Sequence, residues 1–589
     1  MRRPAQGCAS ASGNVHPPVI CVLNHTFCWG PLVYTALRCL EDRPMPVEEE
    51  LRMLSYSRGP SRPLLELTIG DLLHRTADRY PDRLAVASCH QSRRLTWAEL
   101  SEEADRVARG LWSLGVRRGD RVGLWSTNCI EWVMMHMGCA RAGAALVNVN
   151  PAYRSHELQF TLKGSRMKAL FLWHKDKHAD YEDILARARY GLDVELEHII
   201  YFDSPEWPAL LDAPGQLPDH VAVDDVANIQ YTSGTTGLPK GVMLTHHNVV
   251  NDGQFLAQGF HYTEIDKIVM PMPFFHCYGC VIGTMSALNS GAALILPNWT
   301  FEAHTTLKAV QEEKGTSLYG VPTMYVAEMA LPDFKSFDLT SLRTGMMSGA
   351  PCPIELMNRV LDEMNCKELI IAYGQTETSP VCTLSDAGDS IEVRVNTVGR
   401  AMAQTEIQIV STVTGETLPT GQQGEVCARG FVVMKGYDGD PEGTAKVIHT
   451  DGWLHTGDLG IMRPDGCIHL TGRSRDVIIR GGENIYPREV EEFLYTHPKV
   501  GEVQVVGIPD ARLGEIVAAW VRLEPGAEAT EVEIREWCQG QIAYYKIPAH
   551  IRFVDSFPTT LSGKIQKYKI REFEIEARGL QQVANTATA

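Results

Sequence analysis

The stretch Tyr231-Thr-Ser-Gly-Thr-Thr-Gly-Leu-Pro-Lys240-Gly241 decides how the rest of this chain is read. Its eleven residues hold three glycines, four Ser/Thr hydroxyls and one lysine. Glycines let backbone N–H groups approach anionic oxygens and take up φ > 0. Hydroxyls add short donors, and a lysine adds a mobile point charge. A flexible Gly/Ser/Thr linker has a similar composition. Linkers of that kind are seldom entered from a strand-like lead, here Ile229-Gln-Tyr231, and closed by Pro-Lys-Gly. A Walker loop needs glycine directly before its lysine and Ser/Thr directly after it. Here Pro239 precedes Lys240 and Gly241 follows. The stretch reads as a phosphate loop, but not as a Walker loop.

On either side of this loop the chain alternates short strands with helical stretches. Thr68-x-x-Asp71 opens a short helix, and Thr96-x-x-Glu99 is a capping box. Leu100, Ala104, Val107, Leu111 and Leu114 then recur at helical spacing up to Gly115. Strand-like runs follow at 121–125 and 145–149, separated by an apolar helical stretch over 130–144. Further strand-like runs lie at 294–296, 317–319, 369–371 and 407–409. This rhythm predicts α/β layers with substantial parallel sheet. A polar joint over 465–483 marks a composition shift. Beyond it, a helix over 487–494, a strand over 503–506, a helix near 531–539 and a strand over 551–554 predict a small α+β domain.

Composition narrows the function classes. The 589 residues carry 55 basic and 72 acidic side chains, a net charge of −17, which argues against a general nucleic-acid binder. An anionic ligand must therefore be met by local positive groups. Fifteen cysteines lie scattered, and Cys277-Tyr-Gly-Cys280 is the single C-x-x-C, with no second pair or trailing histidines to complete a zinc site. Buried thiols in a reducing compartment are the expectation. The first forty residues hold no Asp or Glu, but include Arg2, Arg3 and Arg38, a composition compatible with a mitochondrial presequence. The apolar run over 18–40 is interrupted by Asn24, His25 and Arg38, so no transmembrane segment is expected there.

Four further strings follow the opening loop in order: Tyr373-Gly-Gln-Thr-Glu377, Trp453-Leu-His-Thr-Gly-Asp458, Gly472-Arg473 and Thr560-Leu-Ser-Gly-Lys564. The ordered set resembles the ANL superfamily of adenylate-forming enzymes over about residues 67–578. Within it, "YGVPTMY" (319–325), "GRSRDVIIRGGENIYPREVE" (472–491) and "SGKIQKYKIRE" (562–572) are most similar to medium-chain acyl-CoA synthetases. The resemblance implies a large multi-subdomain N-terminal α/β domain plus a small mobile α+β C-terminal domain. It implies an N-terminal extension over 1–66 that includes the possible targeting segment, an adenylation domain over 67–472, and a hinge over 473–475. A mobile domain over 476–578 and a tail over 579–589 follow. A mitochondrial location, or otherwise a cytoplasmic one, also follows from it. Relative to that family, the segment between Lys168 and Ile229 is short.

The implied chemistry is two-step. ATP and Mg²⁺ convert a fatty acid to an acyl-adenylate with loss of pyrophosphate, and CoA then displaces AMP. In-line substitution at phosphorus is catalysed mainly by positioning and charge neutralisation. By resemblance, Thr232, Ser233, Gly234, Thr235, Thr236, Gly237, Leu238, Pro239 and Lys240 hold the β- and γ-phosphates. Thr376 contacts the α-phosphate, and Glu377 binds the metal. By composition alone Glu377 reads as a solvated acid, and its place in "YGQTE" reverses that. Tyr373 stacks on adenine opposite Gly349, Ala350 and Pro351, while Asp458 and Arg473 take the ribose hydroxyls. Lys564 is the catalytic lysine; without the preceding "PTTLSG" it reads as part of a basic face. His276, in "PFFHCYG", lies beside the acyl carboxylate, or else is a satisfied core histidine. Phe274, Phe275, Val281, Val321, Pro322 and Met324 form the acyl wall or ordinary core. Arg475 falls at the hinge, and Gly481 and Gly482 at the CoA channel. Alternatives are an aryl acid, a carrier-protein acceptor, or a non-catalytic homologue that binds acyl groups or nucleotide. Oligomeric state has no sequence signal.

Overall fold

The computed structural model describes residues 54–581, apart from 178, 195, 219, 233–238, 350, 351, 353, 482, 511, 540, 561 and 562 and the side chain of 475. Two large sheets share one apolar core. The first has seven strands in the order 436–437, 240–245, 226–232, 145–149, 121–125, 169–172, 198–201. From 226–232 to 198–201 all neighbours are parallel. Strands buried on both faces read as continuous apolar runs, and Ala145–Val149 is buried at every residue. The second sheet has nine strands, of which six consecutive ones from 84–88 to 368–373 run parallel.

Helices Trp97–Ser113, Ile130–Ala142, His246–Gly259 and Thr284–Ser290 form a layer that touches strands of both sheets. Ile130–Ala142 buries all but one of its residues, as expected for a helix with no solvent face. It stops two residues short of the expected end because Gly143 adopts the left-handed conformation at φ +70. Thr68 and Thr96 each cap their helices, with the acid three residues on returning the bond.

Six strands carry the candidate site: β1 (Val226–Thr232), β2 (Lys240–Thr245), β3 (Glu368–Tyr373), β4 (Gln423–Gly430), β5 (Leu454–Met462) and β6 (Ile468–Arg473). β4, β5 and β6 belong to a third, antiparallel sheet with 405–410 and 56–58. A fourth sheet lies C-terminal to them, where Val500–Asp510 and Gly514–Leu523 form a long hairpin. The sequence shows a strand only over 503–506. Gly501, Gly507 and Pro509 dilute its ends, and the ladder to 514–523 carries the extra length. Val503 and Val505 pack under the helix 487–494, while Val506 and Ile508 face the helix 567–577 with Ile570. No helix among the described residues is long and apolar enough to cross a membrane.

Candidate active site

The opening loop joins β1 to the antiparallel β2, with Thr232 and Lys240 facing each other across the ladder. A Walker loop leads from a strand into a helix. Here it closes a hairpin, which is why proline before Lys240 is tolerated. Residues 233–238 of the loop lie outside the described residues.

From β2, Lys240 places its Nζ 4.4 Å from the ring centroid of Tyr437. Tyr437 pairs with Val242 of β2 and donates its hydroxyl to Glu377 Oε1 at 2.9 Å. Burial, together with the Glu377 charge, pushes the Tyr437 phenol up, so it stays protonated and remains a donor. Tyr437 therefore links the loop lysine to the candidate metal-binding carboxylate. Sequence reasoning missed it, because its two-residue strand carries no spacing signal.

Glu377 sits on the single turn Thr376–Thr378 that follows β3. A Cβ at Gly374 would stand 2.1 Å from the Pro380 carbonyl oxygen, so the chain can fold back there only with glycine. Thr376 is buried, its hydroxyl 3.6 Å from the Cys277 Sγ. The donor set fits a hard cation, since a carboxylate and a hydroxyl are oxygen ligands.

His276 lies two residues before a π-helical segment, Tyr278–Gly283. The Tyr278 N–H donates to His276 Nδ1 at 3.2 Å, which leaves the imidazole proton on Nε2. Burial, with the Lys564 charge second, lowers His276 to about 4. The ring is therefore a neutral donor near pH 7. Cys277 and Cys280 are buried free thiols, and burial pushes Cys277 up to about 12. Below them, Asn148 Nδ2 and Gln230 Nε2 point at Cys280 Sγ at 3.4 and 3.1 Å, a polar contact the sequence did not show.

The residues expected at the nucleotide lie on β3, β5 and β6. Asp458 and Arg473 face one another across the β5–β6 ladder, with Arg473 Nε 2.8 Å from Asp458 Oδ1. The Tyr373 hydroxyl donates to Asp458 Oδ2 at 2.8 Å. Both carboxylate oxygens of this buried aspartate thus already accept hydrogen bonds, in the arrangement two sugar hydroxyls would replace or share. The Asp458 charge, the largest influence, raises Arg473. Gly349 lies at φ +84 beside Val321; Ala350 and Pro351 fall outside the described residues.

Lys564 is carried to this region by a turn in which Thr560 N donates to the Lys564 carbonyl and Lys564 N to Thr560 Oγ1. The turn docks on the helix start at Val321–Thr323, where Thr323 Oγ1 donates to the Gly563 carbonyl at 3.3 Å. The Lys564 charge is felt at His276. Phe274, Val281, Val321 and Met324 are all buried nearby in the same apolar cluster. Gly481 makes its contacts within the C-terminal sheet, its N–H donating to Leu513, and Gly482 lies outside the described residues. Arg475 is on the short turn Ser474–Asp476.

A model of the AMP-binding enzyme family matches residues 73–438, and a model of its C-terminal domain matches 489–564. The chain belongs to the AMP-binding enzyme family. It is 46% identical over 539 residues to the putative acyl-CoA synthetase YngI of Bacillus subtilis, covering 87% of this chain and 98% of that protein. It is 41% identical over 550 residues to the mouse mitochondrial medium-chain acyl-CoA ligase ACSF2, covering 88% of this chain and 89% of that one. The crystal structure of the anthranilate CoA ligase AuaEII with anthranoyl-AMP superposes with a TM-score of 0.79 at 28% identity, covering 87% and 98% of the two chains. The ANL resemblance read from the four strings and the α/β fold class are both confirmed, for this AMP-binding enzyme, by these matches.

Proposed function

We propose that this AMP-binding enzyme is an ATP-dependent acid–thiol ligase that converts a medium-chain fatty acid to its CoA thioester. The observation that carries the reading is the docking of the Lys564 turn on Val321–Thr323, with its charge reaching His276. In this reading a carboxylate presents its oxygen to phosphorus between that cation, a neutral imidazole donor and an apolar wall. In the first step a carboxylate oxygen attacks the α-phosphorus and pyrophosphate leaves. Lys564 stabilises charge as it shifts between the two oxygens. Thr232 and Lys240, with the loop between them, hold the departing phosphates. Thr376 contacts the α-phosphate, and Glu377 would hold Mg²⁺, which would neutralise phosphate charge. Tyr373 packs on adenine against Gly349–Pro351, and Asp458 and Arg473 hold the ribose. His276 orients the acid through Nε2–H.

In the second step the CoA thiol attacks the acyl carbonyl, its proton passes to solvent, and AMP leaves. A swing of residues 476–578 about 473–475 would withdraw Lys564 and present Gly481–Gly482 to the thiol. Such gating lets one cavity serve two reactions and limits hydrolysis of the adenylate. The mitochondrial name of the ACSF2 relatives and the acid-free first forty residues support a mitochondrial location. An aryl acid is the second reading, favoured by the likeness to AuaEII.

Pyrophosphate release with fatty acids from butanoic to octadecanoic, and with benzoic and anthranilic acids, separates these readings. Release peaking at medium chain, and thioester formation on adding CoA, are expected. Release without thioester would point to another acceptor, and a preference for aryl acids to the second reading. No acid-dependent release would end the ligase reading. Lys564→Ala is expected to lower adenylation about a hundredfold to a thousandfold, as loss of a charge-stabilising donor does elsewhere.

A further inference from the structure

The β4–β5 ladder places Cys427 directly opposite His455, and a bulge between Glu425 and Cys427 turns the Glu425 carboxylate toward the same point. Glu425 Oε2 lies 2.9 Å from His455 Nδ1, and the Cys427 Sγ lies 3.5 Å from that nitrogen. One donor atom from each of the three falls within 4.8 Å of the others. The exposed His449 ring centroid lies 4.0 Å from that of His455, but its nitrogens are not among the three converging donor atoms. Ligand atoms of a four-coordinate zinc stand roughly 3.3–3.8 Å apart, given bonds of about 2.0–2.3 Å. The Sγ–Nδ1 separation falls in that range and the Nδ1–Oε2 separation below it, so an ion would enter by opening the His455–Glu425 hydrogen bond slightly.

We propose that Glu425, Cys427 and His455 form a binding site for a zinc-class divalent cation, with water completing its coordination. A thiolate and an imidazole select a borderline or soft ion over magnesium, which prefers oxygen ligands. One thiolate and one carboxylate neutralise the dication, so the complex can occupy this partly buried position without net charge. Asp451 adds negative charge at Cys427. Glu425 Oε1 accepts from the Gly457 N–H at 2.9 Å, which fixes the carboxylate for ligation through its other oxygen.

The test is titration of the chelator-treated full chain with Co²⁺. The expected result is one tightly held cobalt with a thiolate-to-cobalt charge-transfer band, displaced by Zn²⁺. Cys427→Ser is expected to abolish that band, and His455→Ala to weaken cobalt binding at least tenfold. Circular dichroism checks that both variants fold. Absence of the band would overturn the site. So would a band that survives Cys427→Ser, because the thiolate would then belong to another of the fifteen cysteines.

Discussion

Gly563 gives the most discriminating handle on how this enzyme divides its reaction. A Cβ there would stand 2.7 Å from Val321 Cγ2 and 3.1 Å from Thr323 Oγ1. Val321 is buried and cannot retreat, so Gly563→Ala overpacks the docked turn at about 1–3 kcal/mol. That lowers the docked population, and with it adenylation, by roughly fivefold to more than a hundredfold. Gly563 also lies at φ +77, which costs an L-residue about 1–2 kcal/mol wherever the small domain sits. The second penalty lowers stability but does not separate the half-reactions. The clash acts only when Lys564 is engaged. Acid-dependent pyrophosphate–ATP exchange should therefore fall, while thioester formation from synthetic acyl-adenylate and CoA should hold near the wild-type rate. Equal losses in both half-reactions would refute the swing of residues 476–578. Unchanged exchange would refute the docked turn as the adenylating state.

Two further outcomes follow from the buried polar groups. Asp458→Asn removes the charge that accepts from Tyr373 and Arg473, so the apparent KM for ATP should rise about tenfold to a hundredfold, the worth of roughly 1.5–3 kcal/mol of charged hydrogen bonding. An unchanged KM would take Asp458 out of nucleotide binding. His136 is buried with its pKa lowered to about 3, from an ordinary 6.5, by burial. Below pH 6.5 the unfolded chain takes up a proton there that the folded chain refuses, so this group costs stability as pH falls toward 3. Buried Asp252 and Glu328, raised by burial, act in the opposite sense, so the comparison must be between wild type and His136→Gln. The stability of wild type relative to that variant should drop by about 1.6 kcal/mol between pH 6.5 and 5, the slope approaching about 1.4 kcal/mol per pH unit only below pH 5.5. Urea midpoints measure it, and a difference independent of pH would contradict the burial of a neutral imidazole.

The candidate site could be proposed from sequence because the residues that recognise a phosphate or nucleotide lie close together in the chain. A loop that wraps a phosphate needs its glycines and hydroxyls within one short segment, and Gly374 is demanded by a close approach to Pro380, six residues on. Strings such as "YGQTE" and "TGD" therefore announce themselves. The α/β layering was legible for a similar reason, since doubly buried parallel strands leave unbroken apolar runs. The long hairpin 500–523 was only partly legible, because pairing rather than propensity extends it through two glycines and a proline.

Sequence alone determined the family, the layered fold and the residue types proposed to meet a nucleotide. Tertiary structure decided which of those residues meet each other. The Tyr437 bridge between Lys240 and Glu377, the tautomer of His276, the docking of Gly563 on Val321, and the meeting of Glu425, Cys427 and His455 all depend on it. Several of these join distant segments, and sheet register sets the strand pairings among them; a one-residue slip would turn every side chain of a strand to the other face. No local spacing encodes that register, so only the folded chain displays it.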